Sequence, residues 1–279
     1  MTATATQTPG ELAERVTELS AWCDLDPPTA RDLACSLRRD ADQVCFVGPD
    51  GQGAAIVVPR IGSATVKYFA VPPTARRQGI GAALLQDVET WARTNGYANV
   101  LFGLAAPGYL WPGIEMGLTT METFLDGRGY HVVMWAVNQL VELPVDIPTG
   151  DARPARPDEE ELVAAFCREH YANWETEARW SFDEVEPKCA VWVDGGELLG
   201  FASWSVTREG WFGPMATRPD LKHKKGIGTG TLSVALAGLA ADGYAAAEIS
   251  WVGPERFYAK VVGARTHRAF RVYQRTVTG

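Results

Sequence analysis

The sequence is short of most features that would mark a secreted, metal-binding, nucleic-acid-binding or membrane-spanning protein. It has five cysteines, Cys23, Cys35, Cys45, Cys167 and Cys189. An odd number with no pair at metal-ligand spacing points to neither a disulfide framework nor a zinc site. Four scattered histidines add no ligand cluster, so no metal is expected. Positive charge is in deficit: 26 Lys and Arg against 34 Asp and Glu leave a formal charge of -8. A nucleic-acid binder needs a concentrated basic face to displace counterions, so that class is set aside. No apolar run reaches the ~20 residues of a membrane span. The Thr/Ala-rich start, Met1 to Pro9, lacks the basic and apolar blocks of a signal peptide. A cytoplasmic, reducing location is the expectation.

What is present is an ordinary globular composition, 46% hydrophobic and 22% charged over 279 residues. That length suits two domains of roughly 100–150 residues each. Apolar residues at three-to-four spacing predict helices over Glu11–Cys23 and Pro28–Arg39. Strands are expected at Gln43–Val47, Ala54–Pro59 and Ala64–Val71. A helix then runs over Gly79–Asn95 and stops at Gly96. A buried strand at Asn99–Ala105, a short helix at Thr119–Asp126 and a long strand at His131–Leu143 complete the first half. Leu143–Pro157, rich in Pro, Asp and Gly, reads as a linker. The order then recurs. A helix over Glu159–His170 precedes a hairpin, Ala190–Val193 with Leu198–Val206. After it come a strand at Trp211–Met215, a helix at Gly226–Ala241, a strand at Ala245–Trp251, a helix at Glu255–Val261 and a strand at Arg268–Thr276. Such recurrence predicts an internal duplication, with domains at 1–146 and 147–279. The expected fold class is α+β with a mostly antiparallel sheet.

The chemistry sits at two glycine loops. The first is Arg76-Arg77-Gln78-Gly79-Ile80-Gly81-Ala82 and the second is His223-Lys224-Lys225-Gly226-Ile227-Gly228-Thr229. Each follows a strand and opens a helix, where unpaired amides and the helix dipole make an anion site. Neither ends in Gly-Lys-Ser/Thr, as a nucleoside-triphosphate loop would. Neither has the third glycine and the distant acid of a dinucleotide fingerprint.

Val71-x-Pro73 followed by Arg76-x-x-Gly79-x-Gly81 resembles the signature of the Gcn5-related N-acetyltransferase (GNAT) superfamily. The second half resembles it through Gly213-Pro214-Met215, Arg218-Pro219 and Gly226-Ile227-Gly228. It does so again through Phe257-Tyr258-Ala259-Lys260 ahead of Gly263-Ala264. The whole chain is similar to tandem members of that superfamily. The resemblance implies two GNAT-like domains and acetyl transfer from acetyl-coenzyme A to an amine, releasing coenzyme A. The amine would belong to a small molecule such as an amino sugar, antibiotic or metabolite. A protein or peptide acceptor, or a non-catalytic acyl-CoA-binding role, are the alternatives, and homodimerisation stays open.

The resemblance assigns cofactor binding to Val71, Arg76, Arg77, Gln78, Gly79, Ile80, Gly81 and Ala82, and to Lys224, Lys225, Gly226, Ile227, Gly228 and Thr229. Pantetheine would lie between the strand ending at Val71 and the strand Asn99–Ala105. Tyr258 occupies the position of the family's acid tyrosine, whereas the first half has Phe124 there. Glu248 is the candidate general base, acting through water. Tyr109, Trp111 and Glu115, in the loop after the splayed strand, are the candidate amine-binding residues. Pro219 lies seven residues before Gly226 rather than the six from Pro73 to Gly79, so the two halves are expected to have specialised.

Overall fold

A computed structural model describes residues 5–221 and 226–277, in which every strand expected from the sequence is present. Two units emerge from the packing, and neither is bounded by the linker at 146/147. The first comprises residues 1–136 with 269–279 and the second residues 137–268. The first unit is therefore discontinuous, its last strand supplied by the C-terminus of the chain.

The first unit begins with β1 (Ala5–Gln7), then α1 (Pro9–Ala13) and α2 (Val16–Ala21) where one helix was expected. The break falls at Arg15, whose backbone leaves helical geometry at φ -110, ψ 11. The Arg15 guanidinium donates to the Gly51 carbonyl at 2.7 Å, tying the break to the sheet. After α3 (Ala30–Arg39) come β2 (Val44–Val47), β3 (Ala54–Arg60) and β4 (Ser63–Ala70). They are followed by α4 (Ile80–Thr94), β5 (Asn99–Phe102), the short β6 (Ile114–Glu115) and α5 (Thr119–Asp126). The strand β7 (His131–Glu142) starts in this unit and continues into the second.

The second unit holds β8 (Ala152–Pro154), α6 (Glu160–His170), α7 (Glu175–Trp180), β9 (Cys189–Asp194) and β10 (Glu197–Trp204). It continues with β11 (Trp211–Thr217), α8 (Ile227–Ala241), β12 (Ala246–Ile249) and α9 (Glu255–Val262). The final strand, β13 (Arg265–Thr276), starts here and ends in the first unit. The presumed linker is thus partly structured, because β8 pairs antiparallel with β9.

In the first unit β1 to β4 form an antiparallel meander, and β4 pairs parallel with β5. The C-terminal part of β13 closes the sheet antiparallel to β5, with Tyr273 opposite Phe102. Both faces of this sheet are covered, so its strands are apolar on both sides. Along β3, Ala54 and Ile56 face the layer of Leu12, Leu19, Leu33 and Leu37 from α1–α3. Ala55 and Val57 face Leu84, Leu85, Val88 and Leu125 from α4 and α5, a layer that includes Tyr273. The second unit repeats the plan, with β7, β12, β11, β10, β9 and β8 in that order. There, α8 buries Leu232, Ala235, Leu236 and Leu239 on one face, and α6 buries Val163, Phe166 and Cys167 on the other.

Tyr273 is 1% exposed in the first unit's core although it stands six residues from the chain's end. Tyr273→Ala is expected to cost roughly 3–4 kcal/mol, the range for removing a buried aromatic ring. Urea unfolding followed by tryptophan fluorescence would read this as a lowered midpoint. An unchanged midpoint would show that β13 is dispensable to that core.

Candidate functional site

The ladder between β4 and β5 runs only from Ser63–Asn99 to Val66–Phe102. From that point β4 continues to Ala70 while β5 stops, and the chain turns away through Gly103. A register shift against β3 accompanies the parting. Val57 pairs with Val66 and Ile56 with Tyr68, leaving Lys67 as the extra residue of a bulge. A bulge bends its strand and re-aims side chains, which is how a sheet opens a wedge without losing its core.

A cleft of about 760 Å³ fills the wedge. Its walls are β4 from Val66 to Ala70 with Val71 just beyond it, the glycine loop, Trp22–Leu25, the segment from Trp111 to Glu115, and α5. Phe69 packs edge-on against Phe102 at 5.7 Å and against Phe124 at 5.8 Å, forming an aromatic wall. The Arg128 guanidinium sits 3.8 Å over the Phe124 ring.

At the rim, Gly79 caps α4 in the left-handed region, φ 86, and Arg77 is also left-handed at φ 64. A non-glycine residue there stores on the order of 1 kcal/mol, a strain that concentrates at ligand sites. The first backbone bond of α4 is Ala83 N–H to Gly79 C=O. The amides of Ile80, Gly81 and Ala82 precede it and have no helical acceptor. A β-carbon added at Gly79 would meet nothing within 4 Å, so the approach to these amides is open.

Of the expected cofactor residues, Val71, Arg76, Arg77, Gly79, Gly81 and Ala82 line the cleft. Two of the loop's side chains point elsewhere. Gln78 donates to the Thr74 carbonyl at 3.2 Å, and Ile80 fills the space beside Gly48 and Gly53. Arg76 lies at the rim, but its guanidinium is engaged by protein. It donates to Val71 O at 2.9 Å, Asp24 Oδ2 at 2.7 Å and Trp22 O at 3.1 Å. Trp111 and Glu115 line the cleft on its other side, whereas Tyr109 is 7% exposed and outside the lining.

In the second unit Gly226 caps α8, again left-handed at φ 70, and Ile227 is fully buried like a keystone under the turn. Gly228 and Thr229 follow in the first turn of α8, while Lys224 and Lys225 lie outside the described residues. The parallel pair β11–β12 is held at only two positions, Trp211–Glu248 and Phe212–Ile249. The hollow beside the second glycine is tighter than in the first unit. A β-carbon at Gly228 would stand 3.1 Å from Met215 Cε, whereas at Gly81 the nearest atom, on Phe124, is 3.5 Å away.

The two proposed proton-transfer groups belong to this unit and are held by neighbours. Tyr258 is 7% exposed, its hydroxyl 3.8 Å from Met215 Sδ, and burial pushes its phenol up. Glu248 accepts from Arg268 Nε at 2.9 Å and from the Asn138 amide. That ion pair is nearly sealed, with side-chain exposures of 7% for Arg268 and 12% for Glu248.

Sequence reasoning passed over Lys67. Its side chain is fully buried, donating to Ser36 O at 3.2 Å and lying 3.6 Å from Asp40 Oδ2. Arg60 shares Asp40 at 2.9 Å and donates to Ala106 O at 2.6 Å, fixing the loop below the cleft. Burial pushes the Lys67 ammonium down to about 8, with Asp40 opposing the shift. Among the described residues no group of three His, Cys, Asp or Glu could hold a metal, and no helix is long and apolar enough to cross a membrane.

A parted parallel pair with a glycine-capped helix at the opening occurs in both units. Residues 13–106 match the Acetyltransferase (GNAT) family model. Solved structures match nearly the whole chain. One is a fungal multi-domain β-N-acetylglucosaminidase with a glucosamine N-acetyltransferase region, at TM-score 0.76 and 15% identity. The match covers 98% of this chain but only 38% of that protein. A GCN5-related N-acetyltransferase from Sphaerobacter thermophilus matches at TM-score 0.69 and 19% identity, covering 99% and 96% of the two chains. A tandem GNAT protein from the clavulanic acid biosynthesis pathway matches at 0.67 and 18%, covering 99% and 98%. No curated protein matches the sequence. The family match thus lies within the first unit, and the likeness of the whole chain to these structures is one of fold.

The Lys67 environment makes a pH prediction. Because its folded pKa lies below its unfolded value, the unfolded chain binds more protons between pH 8 and 10.5. Burial of the ammonium therefore costs stability fully below pH 8, and the cost is relieved as pH rises through that window. Urea unfolding at pH 8 and pH 10 should show Lys67→Met losing its advantage over wild type, or deepening its deficit, by on the order of 1–2 kcal/mol. A difference independent of pH would mean that the amine is not desolvated.

Proposed function

We propose that the first unit takes acetyl-coenzyme A into the cleft between β4 and β5 and transfers the acetyl group to the amine of a small molecule. The observation that carries this reading is the coincidence of the parted strands with the open amides of Ile80, Gly81 and Ala82 at one rim. Those amides, the α4 dipole and the exposed Arg77 suit the coenzyme's diphosphate. The strip of β4 beyond Val66, without a ladder partner on the cleft side, has the length and apolar lining to take the pantetheine arm.

In the transfer itself the amine nitrogen bonds to the thioester carbon as the carbon–sulfur bond breaks, and the proton lost by the amine ends on the coenzyme thiol. The backbone of β4 offers amides to the carbonyl oxygen, the oxyanion-type contribution that strengthens as charge develops. Phe124 stands where relatives carry a tyrosine, so the first unit has no phenol at that point. Its cleft instead presents the Glu115 carboxylate, positioned by β6 against Phe270 of β13. Glu115 is the group assigned to hold the acceptor ammonium and take its proton, directly or through water. Trp22–Leu25 and Trp111–Glu115 bound the cleft on the acceptor side. That enclosure favours a small acceptor over an extended peptide.

Calorimetry with acetyl-coenzyme A and thiol release across a panel of amines test the reading together. Gly81→Glu should abolish measurable binding, since a carboxylate would project among groups arranged for phosphate, whereas Gly228→Glu should change affinity less than threefold. The reverse ranking would move the coenzyme site to the second unit. Tyr258→Phe is then expected to leave turnover within twofold. A tenfold loss would instead assign Tyr258 the acid role and the transfer to its own unit.

A further inference from the structure

Arg76 is the first residue of the glycine-loop signature and lies at the cleft rim, yet its guanidinium does not point toward the open amides. Each of its three nitrogens has a different protein acceptor. Nε donates to Val71 O, where β4 hands over to the loop, at 2.9 Å. Nη1 donates to Asp24 Oδ2 at 2.7 Å and Nη2 to Trp22 O at 3.1 Å. Trp22, Asp24 and Val71 all line the cleft, from sequence positions about fifty apart. Trp22 is held on its other side by the Arg15 guanidinium, 5.3 Å over its ring, and Arg15 is itself anchored on Gly51 O. The segment between, Cys23 to Leu25, has no regular structure of its own, so these tethers act beside the packing of Trp22 and Cys23 on the α1–α3 layer.

We propose that Arg76 is a positioning residue that latches the Trp22–Leu25 lip of the acceptor side to the end of β4, and that it is not a ligand of the coenzyme's phosphates. A planar guanidinium spreads its donors over three nitrogens in a rigid fork and so reaches acceptors on three separate segments, whereas an ammonium gathers its donors on one atom at the end of a flexible stem. The latch joins the strand that presents the acyl group to the lip that presents the acceptor. One side chain therefore sets the spacing of the two substrates.

The latch itself shows in the protein without any ligand, while its second half rests on the coenzyme reading above. The test uses the full chain as wild type, Arg76→Ala, Arg76→Lys and Asp24→Asn. Hydrogen exchange of the amides at 22–25 is measured with and without coenzyme A, beside the Kd for coenzyme A from calorimetry. Arg76→Ala should speed exchange at 22–25 by tenfold or more, with β3 amides unchanged and Kd within threefold of wild type. Arg76→Lys should not rescue it, and Asp24→Asn should give a smaller increase of about threefold. Unchanged exchange at 22–25 in Arg76→Ala would overturn the latch, as would a tenfold loss of coenzyme affinity in that variant. If wild type takes up no coenzyme A, the cofactor reading fails, and the exchange data still decide the latch. Should Arg76→Ala fold poorly, the exchange of Asp24→Asn decides alone.

Discussion

Everything proposed for this protein depends on two parallel strands that pair and then part. Hydrogen bonding holds β4 to β5 for four residue pairs and then stops, with the bulge at Lys67 marking the place. Had the ladder continued, the backbone groups of β4 would be satisfied by β5 and there would be no cleft. Because it stops, a stretch of strand backbone stands open at the bottom of a wedge whose two sides are still anchored in the core. A sheet covered on both faces can tolerate this only where side chains fill the space behind it. Phe69, Phe102, Phe124 and Tyr130 do so, each packed on another ring at 5.5–5.8 Å.

The charges around the wedge fall into two groups with different work. Lys67, Asp40 and Arg60 are buried beneath it and bind the loop at 105–107 and α3 to the sheet. Their desolvation is costly, which is why Lys67 and Arg60 donate to backbone carbonyls as well as to the Asp40 carboxylate. Arg76, Arg77 and Glu115 stand at the surface of the wedge. Of these, Arg76 is consumed by the protein, so Arg77 is the loop cation left facing the cleft. Two adjacent arginines, alike in sequence, thus differ in surroundings, one with a left-handed backbone and the other extended.

Much of this was legible in the sequence, and the rest fails for identifiable reasons. Glycine loops at strand-to-helix transitions are local signals, and Gly79 and Gly226 cap their helices as the pattern required. Helix α3 shows its start in Thr29 and Asp32, which form a reciprocal cap. A one-residue bulge leaves no trace in an alternating apolar pattern when both faces are buried, so Lys67 reads as an ordinary strand residue. Long-range partners are equally silent: nothing near Glu248 announces Arg268, and nothing near Arg76 announces Asp24. The packing units have other bounds than the Pro-rich stretch suggests because composition finds loops, and here the passage from one unit to the other falls inside regular strands, at 136/137 in β7 and 268/269 in β13.

That last point bears on what the duplication means. Each unit has a parted parallel pair and a left-handed glycine cap, so the same backbone arrangement is present twice. The side chains around the two hollows differ. In the first unit Gly81 looks onto Val71 and Phe124 at ordinary contact distance, and the cleft beyond has a volume of about 760 Å³. In the second, Met215 crowds Gly228, the Tyr258 hydroxyl is directed at the Met215 sulfur, and the Glu248 carboxylate is spent on Arg268. Tyr258 and Glu248 thus each have a protein neighbour at contact distance. Two copies of one fold can share backbone geometry while their hollows differ, because the geometry is fixed by the core and the lining of a hollow by a handful of residues around it.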